Sequence, residues 1–193
     1  MTLLILGIAI WSTAHLLPAL AEDRRNDLVA RIGEPRYKLV FTVIILTSLG
    51  LMIAGWKEAH YVPVYEIATS LRVVALMLML ISILLFVASA TKNNLKRRLR
   101  HPQMTAVIIW SIAHLSANGD AASIVLFVGL GVWAAIEIIT ISRRDGAWQK
   151  PPVQPRGNDI KTLVAGLVAF VVLLMLHPWM SGVRLVQVTT GTG

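Results

Sequence analysis

Apolar residues fall into six runs separated by short polar stretches: Thr2 to Leu20, Leu39 to Trp56, Leu71 to Ala90, Met104 to Ala117, Ala121 to Ser142 and Ile160 to Met180. Five of them approach or exceed the 20 or so mostly apolar residues that carry an α-helix across a ~30 Å hydrocarbon core. The fourth is shorter, at about 14 residues. It opens at Pro102, a residue suited to the first helical position. It closes on Asn118-Gly119-Asp120, a tight turn whose glycine suits a left-handed helix terminus. Pro102 to Ser142 therefore reads as a helical hairpin whose first arm packs inside the bundle. The predicted fold is all-α, a polytopic transmembrane bundle of about six spans with one of them short, and residues 1–193 form a single membrane domain.

The polar stretches give an orientation. Arg24, Arg25, Arg31, Arg36 and Lys38 fill the first loop; Lys92, Lys96, Arg97, Arg98 and Arg100 the third; Arg143, Arg144, Lys150 and Arg156 the fifth. The second loop has only Lys57, the fourth no basic residue, and the tail only Arg184. Basic and nearly neutral loops alternate, as six spans with the odd loops in the cytoplasm require, so both termini are predicted outside. Dropping the short fourth run would put the fifth loop on the wrong side. Ala19-Leu20-Ala21 has the look of a cleavage site, but no basic residue precedes the first run, which therefore reads as a permanent span. The fifth loop, with Pro151, Pro152, Pro155 and Gly157, reads as a flexible connector, and the C-terminal Thr-Thr-Gly-Thr-Gly as frayed.

Composition agrees. Of 193 residues, 56% are apolar and only 15% charged, where soluble domains are nearer a quarter charged. The net charge of +8 sits in loops between apolar runs, which argues for membrane orientation and against nucleic acid as the partner. The absence of cysteine excludes disulfides, Cys-ligated zinc, iron–sulfur clusters, thiolate-ligated haem and covalent haem attachment. No phosphate-binding loop, dinucleotide glycine fingerprint, zinc-protease motif or serine nucleophile elbow is present.

Ionisable side chains inside a span are costly and need a reason. Three stand out: His15 in the first span, His114 in the fourth and Glu137 in the fifth. Histidines from two facing helices can hold a haem by one axial bond each; alternatively, each bonds a neighbouring helix or carbonyl. His15 lies about 8 Å from the cytoplasmic end of its span and His114 about 17 Å from its own, an offset awkward for one flat haem. Glu137, about 9 Å deep and near the level of His15, suits either the ring N–H of a ligating histidine or an interfacial arginine. Trp11 and Trp110 each precede an intramembrane histidine by one turn, as pocket walls or as ordinary packing. Gly129-Leu130-Gly131 reads as close helix packing. His101 sits at the membrane edge, His60 in an outer loop, and His177 before Pro178 near the outer end of the last span; none has an evident role.

Several short motifs resemble those of one family. Arg100-His101-Pro102, Trp110, Ala113-His114-Leu115 and Asn118-Gly119-Asp120 resemble the signature of the NnrU family, as do His15-Leu16-Leu17-Pro18-Ala19 and Arg31-Ile32-Gly33-Glu34. The likeness spans about residues 1 to 145 and leaves the last helix undistinguished. The resemblance implies a bacterial inner-membrane protein with a link to nitrite and nitric oxide reductase expression. The family is also similar to the 15-cis-ζ-carotene isomerases of plants and cyanobacteria, haem b enzymes that isomerise a polyene double bond without net redox change. The resemblance implies non-covalent haem b on His15 and His114; Trp11, Trp110, Asn118 and Glu137 are the further cofactor-binding candidates. One departure matters: the isomerases carry a cysteine three residues before the second ligand, where this chain has Ser111. A cysteine-for-histidine ligand exchange therefore has no donor here.

Three functions follow. The first is a haem-dependent, redox-gated cis–trans isomerase acting on a lipid-soluble polyene. The second is a non-enzymatic haem sensor or accessory factor of denitrification that binds a diatomic gas. The third is a membrane methyltransferase, since Arg-His-Pro also occurs in such enzymes; they usually follow it with Tyr where this chain has Met104, and their later acidic cofactor motif is missing.

Overall fold

The structure, a computed structural model, describes residues 1–181, apart from the side chain of Met180. Seven α-helices form among these residues: α1 Thr2–Leu20, α2 Glu22–Ile32, α3 Glu34–Lys57, α4 Thr69–Ala90, α5 Pro102–Leu115, α6 Ala121–Asp145 and α7 Arg156–Ser181, with a 3-10 turn at Leu95–Arg97. Five of them, α1, α3, α4, α6 and α7, are long and apolar enough to cross a membrane. The C-terminal Thr-Thr-Gly-Thr-Gly and Arg184 lie outside the described residues.

The packing is that of helices in lipid. Large aliphatic side chains such as Leu39, Leu46, Val73 and Met175 point outward, while the buried positions are mostly small: Ser48, Ala75, Ser82, Ala88, Ala106, Ser111, Ala113, Ala122 and Ala134. Lipid tails already satisfy a leucine, so helices associate where small residues let backbones approach and where a polar side chain finds a partner. Ser82 of α4 does this, its hydroxyl donating to the Ala106 carbonyl of α5 at 2.8 Å. α1 packs on α3 and α6, α5 on α4 and α6, and α7 on α4.

Loop-to-loop hydrogen bonds sort the connections into two ends. At one end the α3–α4 loop is joined to the α5–α6 turn: Val64 N–H donates to Gly119 O at 2.8 Å and Ala121 N–H to Val62 O at 2.9 Å. At the other, the α4–α5 loop is joined to the α6–α7 loop. Asn94 N–H and Nδ2 each donate to the Asp159 carboxylate at 2.7 Å, Gln154 N–H donates to Asn94 Oδ1 at 2.9 Å, and Arg100 donates to Gly146 O at 2.9 Å. Arg97 also donates to the Pro151 carbonyl. Hence α5, though only about 21 Å long, runs between the two ends as a sixth, short crossing.

Two loops differ from expectation. The proline-rich α6–α7 connection is tied down by Asn94 and Arg97 and is no loose linker. The first loop contains α2, an 11-residue polar helix with Glu22 and Asp23 in its first turn and Arg31 in its last, charges that complement the helix dipole. Gly33 joins it to α3 at φ 83, a conformation that favours glycine.

Candidate functional site

The intramembrane histidines stand on opposite sides of α6. On the α1 side, His15 Nδ1 lies 2.9 Å from the Trp11 carbonyl. A carbonyl can only accept, so Nδ1 carries the hydrogen and Nε2 the lone pair. The ring packs against Trp11 at 4.4 Å, Trp133 at 5.1 Å and Phe41 at 5.5 Å between centroids. Glu137, 7% exposed, follows Trp133 by one turn on α6. Its Oε2 and the indole nitrogens of Trp11 and Trp133 are buried with no hydrogen-bond partner among the described residues. This seam holds three of the six buried side-chain polar atoms that have no hydrogen-bond partner among the described residues.

On the α5 side, His114 makes the same local bond, Nδ1–H donating to the Trp110 carbonyl at 2.9 Å. Its ring lies along Phe127 at 4.4 Å with planes 24° apart, against Trp110 at 4.7 Å, and faces His177 of α7 at 6.5 Å. Trp110 and Phe127 meet edge to face at 4.9 Å and close the wall. The imidazole is thus fixed in tautomer by the carbonyl and in rotation by Phe127, and Nε2 is the nitrogen left to bind a metal.

Helix α6 separates these groups. A Cβ on Gly129 would meet Ile8 of α1 at 3.0 Å, and one on Gly131 would meet Ser111 of α5 at 3.2 Å. Residues two apart on a helix point about 200° apart, so the glycines let α1 and α5 close on opposite flanks. Phe127 and Trp133, which carry the two imidazoles, are about 9 Å apart along the axis as well. His15 and His114, expected to share one porphyrin, pack on different positions of α6, His15 on Trp133 and His114 on Phe127. His114 by itself fits a haem ligand. Trp11 and Trp110 each touch their own histidine.

The flanking motifs position His114. Asn118 donates from N and Nδ2 to the His114 carbonyl at 2.8 and 2.9 Å and so caps α5. The Tyr65 hydroxyl bridges the carbonyls of Leu115 and Asn118. Burial and the Asp120 carboxylate hold its phenol above the ordinary tyrosine range, which keeps it a donor. Asp120 caps α6, accepting from Ser123 N–H at 2.9 Å. At the other end His101 Nε2 meets Ser142 Oγ at 2.8 Å, linking α5 to α6. Burial, aided by Arg100, lowers the His101 pKa below its ordinary value. His60 is exposed in the α3–α4 loop.

Phe127, Trp133, Phe41, Tyr65 and the placement of His177 were beyond sequence reasoning. His177 had a visible signal as an imidazole in an apolar span, but nothing in the periodicity shows that α7 brings it to α5.

A family model described as NnrU protein matches residues 3–185. The match runs through α7 and so takes in the last helix, where the motifs alone showed no likeness. No curated protein and no solved structure matches the chain. With the matched segment covering nearly all of the helical bundle, this chain belongs to the NnrU family.

Proposed function

We propose that this chain is a haem b protein of the bacterial inner membrane, with His114 as a ligand, and that it isomerises a double bond of a lipid-soluble polyene. The observation that carries the reading is the imidazole of His114, held by the Trp110 carbonyl and Phe127 so that Nε2 is presented within an apolar wall. A bound haem supplies an iron with an exchangeable coordination position, a Lewis acid toward a double bond or a site for a diatomic gas. The chain's own part is to orient the imidazole and to exclude water with Trp110 and Phe127. Loop charges support an orientation with the basic ends of the bundle in the cytoplasm and both termini outside.

The test is the absorption spectrum of protein purified in detergent from cells supplied with haem, followed by incubation with a cis-polyene under oxidising and reducing conditions. A Soret band with polyene conversion only after reduction is expected; a colourless protein contradicts the reading.

A second reading, a haem sensor or accessory factor of nitrogen-oxide metabolism, is favoured by Ser111. Its hydroxyl is buried against Gly131, at the position where the related isomerases have a cysteine. Nitric oxide binding to the reduced protein with the polyene unchanged would select it.

A further inference from the structure

The basic end of the bundle holds a cleft that the haem reading does not use. Its volume is about 360 Å³, within the range of small-ligand sites. Lys96 of the 3-10 turn and Arg100, just before α5, line it together with Trp148 and Pro151 of the α6–α7 loop. The loop is fixed there by Arg100, which donates to Gly146 O at 2.9 Å, and by Arg97, which donates to the Pro151 carbonyl. Met104 of α5 and Ile141 of α6 add apolar surface. Along α5, the cleft stands about 18 Å from His114.

The charge of this cleft is one-sided. None of the described residues lining it is acidic. Lys96 and Arg100 are half-buried, and neither has a carboxylate partner among the described residues. Two carboxylates at this end of the bundle are engaged elsewhere: Asp145 with Arg144 at 2.8 Å, and Asp159 with Asn94 at 2.7 Å. Lys150 Nζ brings a further cation over the Trp148 ring, 5.6 Å from its centroid. The start of α5, with Pro102 in its first turn and no side-chain cap, adds a field of the same sign. Cations gathered in one cleft and partly withdrawn from water repel one another until an anion joins them. A guanidinium fork and an ammonium point charge together suit the oxygens of a phosphate. Basic pockets between membrane helices at the cytoplasmic side take lipid headgroups in this way.

We propose that this cleft binds a phosphate group, with Lys96 and Arg100 on its oxygens and Met104 and Ile141 against the rest of the ligand. A membrane phospholipid and a free phosphate compound present the same group, so the source is decided by competition.

The experiment titrates the whole protein in dodecyl maltoside at 150 mM NaCl, by calorimetry, with dihexanoyl phosphatidylglycerol and with dihexanoylglycerol, which lacks the phosphate. Saturable binding of the first and none of the second is expected. Lys96→Gln and Arg100→Gln should each weaken binding about tenfold. Lys92→Gln, the same charge change at an exposed position of the same loop, should leave it within about twofold. Arg100→Gln also removes the bond to Gly146, whereas the Lys96 side chain makes no hydrogen bond or ion pair among the described residues; Lys96→Gln therefore decides the matter if the arginine variant folds poorly. Displacement of the lipid by inorganic phosphate, at ionic strength matched with chloride, identifies a site for free phosphate compounds. Lipid binding that phosphate does not displace identifies a headgroup site. Equal binding of the two lipids, no saturable binding at all, or equal losses in Lys92→Gln and Lys96→Gln would overturn the proposal. Haem content enters none of these outcomes.

Discussion

Replacing Phe127 probes the wall that fixes His114. Phe127 is 5% exposed and contacts two rings, His114 at 4.4 Å and Trp110 at 4.9 Å. In a water-soluble core, Phe→Ala costs about 3–5 kcal/mol, part transfer from water and part cavity. In a bilayer the transfer part, about 1.5–3 kcal/mol, largely disappears because the alternative surroundings are lipid. What remains is the cavity and the two ring contacts, at about 0.5–1.5 kcal/mol each. Phe127→Ala should therefore lower stability by about 2–3 kcal/mol. Phe127→Leu, which refills most of the space and loses only ring geometry, should cost about 1 kcal/mol. Unfolding by SDS titration from mixed micelles measures both. The site should respond in the same order, with haem retention falling from wild type through leucine to alanine. A Phe127→Ala protein within 0.5 kcal/mol of wild type, or a leucine variant no better than alanine, would refute the view that this ring wedges His114 in place.

Further outcomes follow from other parts of the bundle. Asn94→Ala removes the side-chain bonds to Asp159 and Gln154; it should cost about 1–2 kcal/mol and speed protease cleavage of the α6–α7 loop, and unchanged cleavage would argue against that docking. Glu137→Leu replaces a buried carboxylate that has an unmatched oxygen, so stability should hold or rise in thermal unfolding; a large loss would mean that Glu137 has a structural partner. His101 has a folded pKa below its ordinary value. Its neutral form is therefore compatible with the fold above pH ~6.5, and stability should fall as pH drops below that, where the unfolded chain binds the proton more readily. His101→Gln should reduce this acid sensitivity, and an identical pH profile would remove His101 from the account.

How much of this was legible beforehand differs between levels. The spans were readable because lipid imposes one length and one polarity on every crossing helix. Pro102 marked a helix start and Asn118-Gly119-Asp120 the turn that ends α5, through their own chemistry. The offset in depth between His15 and His114 was also visible, since a constant rise per residue converts position into height. Lateral order was not. Hydrophobic periodicity is weak in helices apolar on all sides, so nothing said that α6 stands between α1 and α5, or that α7 carries His177 to His114. The small residues that decide it, Gly129, Gly131 and Ser111, read only as some helix packing somewhere. α2 escaped because seven of its 11 residues are polar or charged and so resemble a loop, with end charges that complement the helix dipole. The α6–α7 loop looked flexible because prolines suggest a linker, while the bonds that fix it come from Asn94, some 60 residues earlier in the chain.

The most direct test of the central claim is the haem content per chain, by pyridine haemochrome, of wild type and His114→Ala purified side by side. About one haem b per wild-type chain and almost none in the variant is the predicted result. An apo wild type, or equal haem in both proteins, would contradict it.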